Sequence, residues 1–231
     1  MILHRAKTKS MPLATRQKQQ LRPLHLHLSL KDSHTEHVYE HRHLGVITDD
    51  EFSWRPHVTG TCKTVSKNLY PLSQLRHFVD TPKCKLFYHA HISPHLTYAS
   101  IVWDSCSRDI LFNKLNSLHR RAAKLMISDS SLTTNTKLRY FGLLPLREKV
   151  MFKKAVLVFK AYKNLAPSYL KQLFICSNTR ATSRFITLPK PRKDLFNKYS
   201  FSFSGASLWN TIPTQIKSCN SLISFKTQFH K

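Results

Sequence analysis

His43-Leu44-Gly45-Val46-Ile47-Thr48-Asp49-Asp50-Glu51-Phe52-Ser53-Trp54-Arg55-Pro56 is the stretch on which the fold turns. Before it, Leu24, Leu26, Leu28 and Leu30 alternate with His25, His27 and Ser29, the two-residue period of a half-buried strand. Lys31-Asp32-Ser33-His34 reads as a turn, and the stretches 35–40 and 43–47 supply one or two further strands. After Trp54 the period lengthens. Val58, Cys62, Val65, Leu69 and Leu72 recur at three- and four-residue spacing, one buried helical stripe. Between the two patterns, Asp49 and Asp50 suit a strand-to-helix turn whose acids cap the helix beginning at Trp54.

Helical spacing continues from there. Thr81-Pro82 reads as an N-cap followed by proline at the first helical position, opening a helix that buries Leu86, Phe87, Ala90 and Ile92 and breaks at Pro94. Asp109 opens the next, with Leu111, Leu115, Leu118, Ala122 and Leu125 as its stripe and Lys114, Arg120, Arg121 and Lys124 off it. A short helix from Asn135 to Phe141 ends at Gly142. Pro145 opens a long one to about Leu165, whose basic residues, Lys153 and Lys154 among them, interleave with Val150, Val156, Leu157, Phe159 and Ala161. Pro167 starts another over Ser168–Phe174. Residues 178–203 read as irregular, with Phe201 and Phe203 in a short extended piece, before helices over Ser204–Asn210 and Ser221–Phe229. The expected fold class is α+β, mostly α: a small antiparallel β-hairpin or sheet followed by a helical bundle. The segments are 1–52, 53–175 and 176–231, the last partly irregular.

Lys and Arg number 37 against 12 acids, a net charge of +25. That self-repulsion costs stability until a polyanion neutralises it, and nucleic acid is the commonest such partner. Six of the acids fall between Asp32 and Glu51, whereas residues 110–171 hold 13 Lys/Arg and two acids. No apolar run approaches the roughly 20 residues of a membrane span, and no signal peptide shows. The expectation is a soluble protein of nucleus or cytoplasm with no membrane partner. The five cysteines are scattered, without a C-x-x-C, and form neither a disulfide framework nor a zinc ribbon. Histidine pairs such as His25/His27, His41/His43 and His89/His91 lack a thiolate or carboxylate to complete a ligand set. The pattern G-x-S-x-G is missing, and four glycines argue against phosphate-cradling loops. Tyr70, Phe78, Tyr88 and Tyr98 are candidates for base stacking, although their helical positions favour core packing. The pair Asp49-Asp50 lacks the preceding aromatic residue and third carboxylate that a two-metal polymerase site needs.

The order of these segments resembles non-LTR retrotransposon reverse transcriptases. The matching residues are His43–Trp54 followed by His57; Leu75-Arg76-His77-Phe78; Ile92–Tyr98 before Val102-Trp103; Leu118-His119-Arg120-Arg121-Ala122-Ala123-Lys124; and Leu144-Pro145-Leu146. Ser204-Gly205-Ala206-Ser207-Leu208-Trp209-Asn210, Ile212-Pro213 and Ser224-Phe225-Lys226 complete the series, and Lys7-Thr8-Lys9 before Met11 resembles the lysine-bearing motif that follows the catalytic hairpin. The resemblance spans nearly the whole chain. It implies the last palm strands, the thumb and the region after it, in a family of RNA-directed DNA polymerases that use Mg2+. Leu44, Gly45 and Val46 then match the primer grip, Lys7 the palm lysine, and the helices of about 56–174 the thumb, which tracks a template–primer duplex by its backbone. Nucleic-acid contacts are expected at Leu44, Gly45, Val46, Arg120, Arg121, Lys124, Lys153 and Lys154. The family's catalytic aspartates lie upstream of the lysine motif, so none is expected here. No cofactor is expected in the chain itself. The implied partner is an RNA–DNA or DNA duplex bound without sequence preference, alongside the missing palm and fingers or another protein. The same residues also suit a non-functional relic or a domesticated nucleic-acid- or protein-binding scaffold.

Overall fold

The structure, a computed structural model, describes residues 8–14, 28–30, 33–104, 109–127, 132–175, 185–189 and 200–229. The chain divides into two compact units, 1–64 and 65–231. They do not coincide with the three segments read from the sequence. The architecture is α+β and mostly α.

The first unit holds short strands: β1 (Lys9–Ser10), β2 (Ser29–Leu30), β3 (Ser33–His34), β4 (Glu36–His37), β5 (Glu40–His43) and β6 (Val46–Asp49). β2 pairs with β3 antiparallel, and β1 with β4 parallel. An ion pair of 3.1 Å between Lys9 and Glu36 accompanies the second pairing. The alternation at Leu24 and Leu26 lies outside the described residues. β5 and β6 form an antiparallel hairpin that aligns Glu40 with Asp49 and His43 with Val46. Its two-residue turn, Leu44-Gly45, has φ of 46° and 83°, the left-handed pair that a tight hairpin matched to strand twist requires.

Asp49 ends that hairpin and starts the helix. Its carboxylate accepts from the backbone N–H groups of Ser53 at 3.0 Å and Trp54 at 2.9 Å. Phe52 and Trp54 both have positive φ, a costly conformation for bulky residues that the Asp49 bonds hold in place. Helix α1 (Arg55–Leu75) follows, and the boundary between the units falls within it. Val58, Val65, Leu69 and Leu72 of the expected stripe are buried.

The second unit is helical: α2 (Thr81–His91), α3 (Ser93–Thr97), α4 (Ser100–Trp103), α5 (Asp109–Met126), α6 (Thr134–Tyr140), α7 (Leu146–Tyr162), α8 (Ser168–Gln172), α9 (Phe201–Thr211), α10 (Thr214–Lys217) and α11 (Leu222–Phe229). The N-cap of α2 is Asp80, not Thr81; the Asp80 carboxylate pairs instead with Lys83 at 3.3 Å. Its buried residues are Cys84 and Tyr88, while Leu86 stands 70% exposed. The break comes at Ile92, between α2 and the proline-bearing first turn of α3. Gly142, at φ +61°, ends α6 with the N–H of Leu143 on Leu138 O and its own N–H on Arg139 O, the paired bonds of a left-handed C-terminal cap. Asn164 does the same for α7, at φ 57°, with Leu165 N–H on Lys160 O.

The core gathers on α7. Phe159 stacks on Phe225 of α11 with ring centroids 4.3 Å apart, and Trp209 of α9 packs against both. Gly205 lets α9 approach: a Cβ there would meet Val158 at 3.1 Å and the Phe174 ring at 3.2 Å. Asn210 clamps Ile186, accepting from its N–H and donating to its carbonyl. The described C-terminal helices are therefore integral to the second unit. Phe201 and Phe203 are not an extended piece. They open α9, where the Ser200 hydroxyl accepts from Phe203 N–H. Among the described residues no helix is long and apolar enough to cross a membrane.

Candidate nucleic-acid interface

On α5 the buried face consists of Phe112, Leu115, His119, Ala122, Ala123 and Met126. The expected stripe is thus shifted, because His119 takes an interior place and Leu111, Leu118 and Leu125 flank it. That rotation leaves Arg120, Arg121 and Lys124 exposed together. Lys124 lies three residues from Arg121 and four from Arg120, so the three share one side of the helix. None has an ion-pair partner among the described residues. Their neighbours Ala122 and Ala123 are fully buried, so these cations stand on a rigid support and keep their charge for an external anion.

The lysines of α7 are placed differently. Lys154, a candidate phosphate contact by sequence, is 7% exposed. Its ammonium donates to Asp104 Oδ2 at 2.6 Å and to Ser204 Oγ at 3.2 Å. It ties the end of α4 and the first turn of α9 to α7 and cannot also reach a phosphate, so that assignment is corrected. Lys153 is exposed but donates to Thr97 O at 3.0 Å.

Lys149, not among the sequence candidates, belongs to an internal relay. His119 Nε2 faces Leu144 O at 3.2 Å and Nδ1 faces Tyr88 Oη at 2.8 Å. A carbonyl only accepts, so Nε2 carries the proton and Nδ1 accepts from the Tyr88 hydroxyl. Tyr88 Oη is then open to accept from Lys149 Nζ at 3.3 Å. Burial, with the Lys149 charge beside it, holds the His119 ring down to about 4 and therefore neutral. Burial likewise pushes the Tyr88 hydroxyl well above its ordinary range. Lys149 is held down to about 8 by burial and by the neighbouring Lys153 charge. Nothing in residue spacing singles out this trio, because a pattern of apolar and polar letters counts all three as surface or core by type alone.

At the hairpin tip, Leu44 is 78% exposed in spite of its positive φ. Asn or Gly suits that position better than a branched apolar residue, so an exposed leucine there is a local cost to the fold. Gly45 completes the turn and Val46 starts β6. His57 Nδ1 accepts from Ile47 N–H at 3.4 Å, and burial lowers its proton affinity, which keeps that acceptor available. Lys7 lies outside the described residues. Of the aromatic candidates only Tyr88 is buried; Tyr70, Phe78 and Tyr98 are exposed, Phe78 by 83%. Core packing is therefore not their role. Rings displayed in this way can stack on unpaired bases.

The residues do not fit a magnesium pair at Asp49-Asp50, because the Asp49 carboxylate is turned onto two backbone amides. Among the described residues, no group of three or more His, Cys, Asp or Glu is placed to hold a metal ion. Compared with family models, curated proteins and solved structures, the chain matches none.

Proposed function

We propose that this chain is the primer-grip and thumb part of a reverse transcriptase of the non-LTR type, gripping an RNA–DNA or DNA duplex by its backbone. In this reading it supplies grip and not the polymerase carboxylates. The ordered motif series and the charge of +25 support it. The observation that carries it is the ridge of Arg120, Arg121 and Lys124, exposed together opposite the buried face of α5 and without carboxylate partners among the described residues.

The test is binding of the purified chain to a labelled RNA–DNA duplex across a salt series. Affinity should fall linearly with log salt. The triple variant Arg120→Gln, Arg121→Gln, Lys124→Gln should flatten that slope by roughly 2–3, since each phosphate contact contributes about 0.9. The loss should be the same for unrelated sequences. An unchanged slope removes α5 from the interface, and no binding at low salt sinks the reading. A second reading, a scaffold that recruits a protein, is favoured by the exposure of Tyr70, Phe78 and Leu86, since apolar surface of this kind marks interaction sites. A stoichiometric protein partner together with no duplex binding would put it in first place.

A further inference from the structure

Residues of α2, α3, α6, the turn after α6 and the first half of α7 line an open cleft of about 870 Å3, within the size range of small-molecule sites. His89, Arg139, Lys149 and Lys153 line it against one acid, Glu148. Ser93, Thr97 and Asn135 add hydroxyl and amide groups, and Leu138, Leu143 and Phe152 an apolar wall. Lys149 is the most buried of the four basic side chains. Its ammonium is anchored on Tyr88 Oη, and that of Lys153 on Thr97 O. The two are four residues apart on α7 and so face the same way, repelling each other. Neither has a carboxylate within ion-pair distance among the described residues. Two partly desolvated cations without a counter-charge are costly, and a dianion between them removes both the repulsion and the deficit.

We infer that the cleft binds a phosphate monoester, held between Lys149 and Lys153 with Arg139 at the rim. The same chemistry is offered by a free nucleotide and by the phosphorylated end of a nucleic-acid strand. The inference does not rest on duplex binding by α5, and the two fail separately.

A dianion completes the protonation of Lys149, whose ammonium is held down to about 8 by burial and the Lys153 charge. The groups around it are Tyr88 and His89 of α2 (with Lys85 acting on His89), His119 of α5, Arg139 of α6, and Glu148 and Lys153 of α7. Of these His119 is neutral well above its value of about 4, and burial, with the charges of Lys149 and Lys85, also depresses His89. Burial lowers Lys153 as well, but Lys149 is the cation held down to about 8, so the uptake near pH 8 is assigned to it and Lys149→Arg tests that assignment.

The experiment is calorimetric titration of the full chain with adenosine 5′-monophosphate at pH 8, in two buffers of different ionisation heat, with adenosine as control. The nucleotide should bind at least about tenfold more tightly than the nucleoside, with uptake of about half a proton per site. That uptake should vanish at pH 6.5. Lys149→Arg should keep binding and lose the uptake, because arginine stays charged. Arg139→Gln, at an exposed position, should weaken binding roughly tenfold and keep the uptake. The α5 triple variant should change neither. Equal affinity for nucleotide and nucleoside, uptake that survives Lys149→Arg, or equal losses in the α5 variant and Arg139→Gln would overturn the assignment. A 5′-phosphorylated oligonucleotide against its 5′-hydroxyl twin identifies the source. Proton uptake with the phosphorylated strand assigns the cleft to strand ends, and uptake with the mononucleotide alone assigns it to free nucleotides.

Discussion

On α5 the cationic side chains of Arg120, Arg121 and Lys124 face outward over a buried face that includes a neutral histidine. On α7, Lys154 and Lys149 are drawn inward, one onto a carboxylate and the other onto a tyrosine hydroxyl. Both helices look basic by composition, but α7 turns part of its charge inward while Arg147 and Lys153 stay exposed. The same holds elsewhere in the second unit. Lys137 is 6% exposed and donates to Ile127 O just past the end of α5, where a cation also suits the negative end of a helix. Lys217 is 2% exposed, 4.5 Å from the Phe185 ring centre and 5.9 Å from that of Trp209. Charge counted along a sequence therefore overstates the charge available to a polyanion. Part of the lysine content holds helices together.

If that contrast is right, the largest effect on stability belongs to Lys154→Met. It leaves Asp104, with its side chain 20% exposed, without a partner, at a cost of about 3 kcal/mol. Adding Asp104→Asn should recover most of the loss, which a double-mutant cycle in urea would measure. Duplex binding by whatever chain stays folded should keep its salt slope. A slope that drops with Lys154→Met would break the contrast, because it would make Lys154 a phosphate contact.

Acid should produce the next largest effect. The unfolded ring of His119 takes its proton near 6.5 and the folded ring only near 4. Its contribution is fully present above 6.5 and is lost as pH falls towards 4, about 2 kcal/mol by pH 4.5. His119→Gln, which can still donate to Leu144 O and accept from Tyr88, should flatten that limb in urea melts at pH 7 and 4.5. Lys149 acts in another window. Its folded value of about 8 lies below the ordinary 10.5, so stability should rise as pH increases from 8 to 10.5. An acid limb unchanged by His119→Gln would place the titration elsewhere and dissolve the proposed relay.

How far these roles were legible depends on the kind of residue. The change from alternation to helical spacing near Trp54 marked the passage from strands to helices, because backbone period follows directly from where the apolar side chains fall. Asp49 was legible as a cap for the same local reason. Gly142 and Pro145 bounded their helices as local backbone rules predict. Interior polar groups were not legible. His119, Lys154 and Tyr88 owe their positions to partners 25 to 61 residues away, and spacing on one helix carries no information about such partners. Many residues of the motif series (Ile92, Leu96, Trp103, Leu146, Ala206, Trp209 and Phe225) are fully buried. They record how the helices pack, whereas Arg120 and Arg121 beside His119, like Leu44, Phe78 and Tyr98, are exposed and point outward.

The smallest stability effect is expected where the binding effect is expected to be large. Neutralising Arg120, Arg121 and Lys124 removes no ion pair found among the described residues and disturbs no buried atom. Surface changes of this sort shift stability by no more than about 0.5 kcal/mol. The direction should be favourable, because three charges leave a chain of net +25 and self-repulsion weakens. Urea melts at low and high salt measure this directly. The gain should be visible at low salt and fade once counterions screen the field. If the triple variant instead lost several kcal/mol, Arg120, Arg121 and Lys124 would be structural in the way Lys154 is, and the difference between α5 and α7 would disappear.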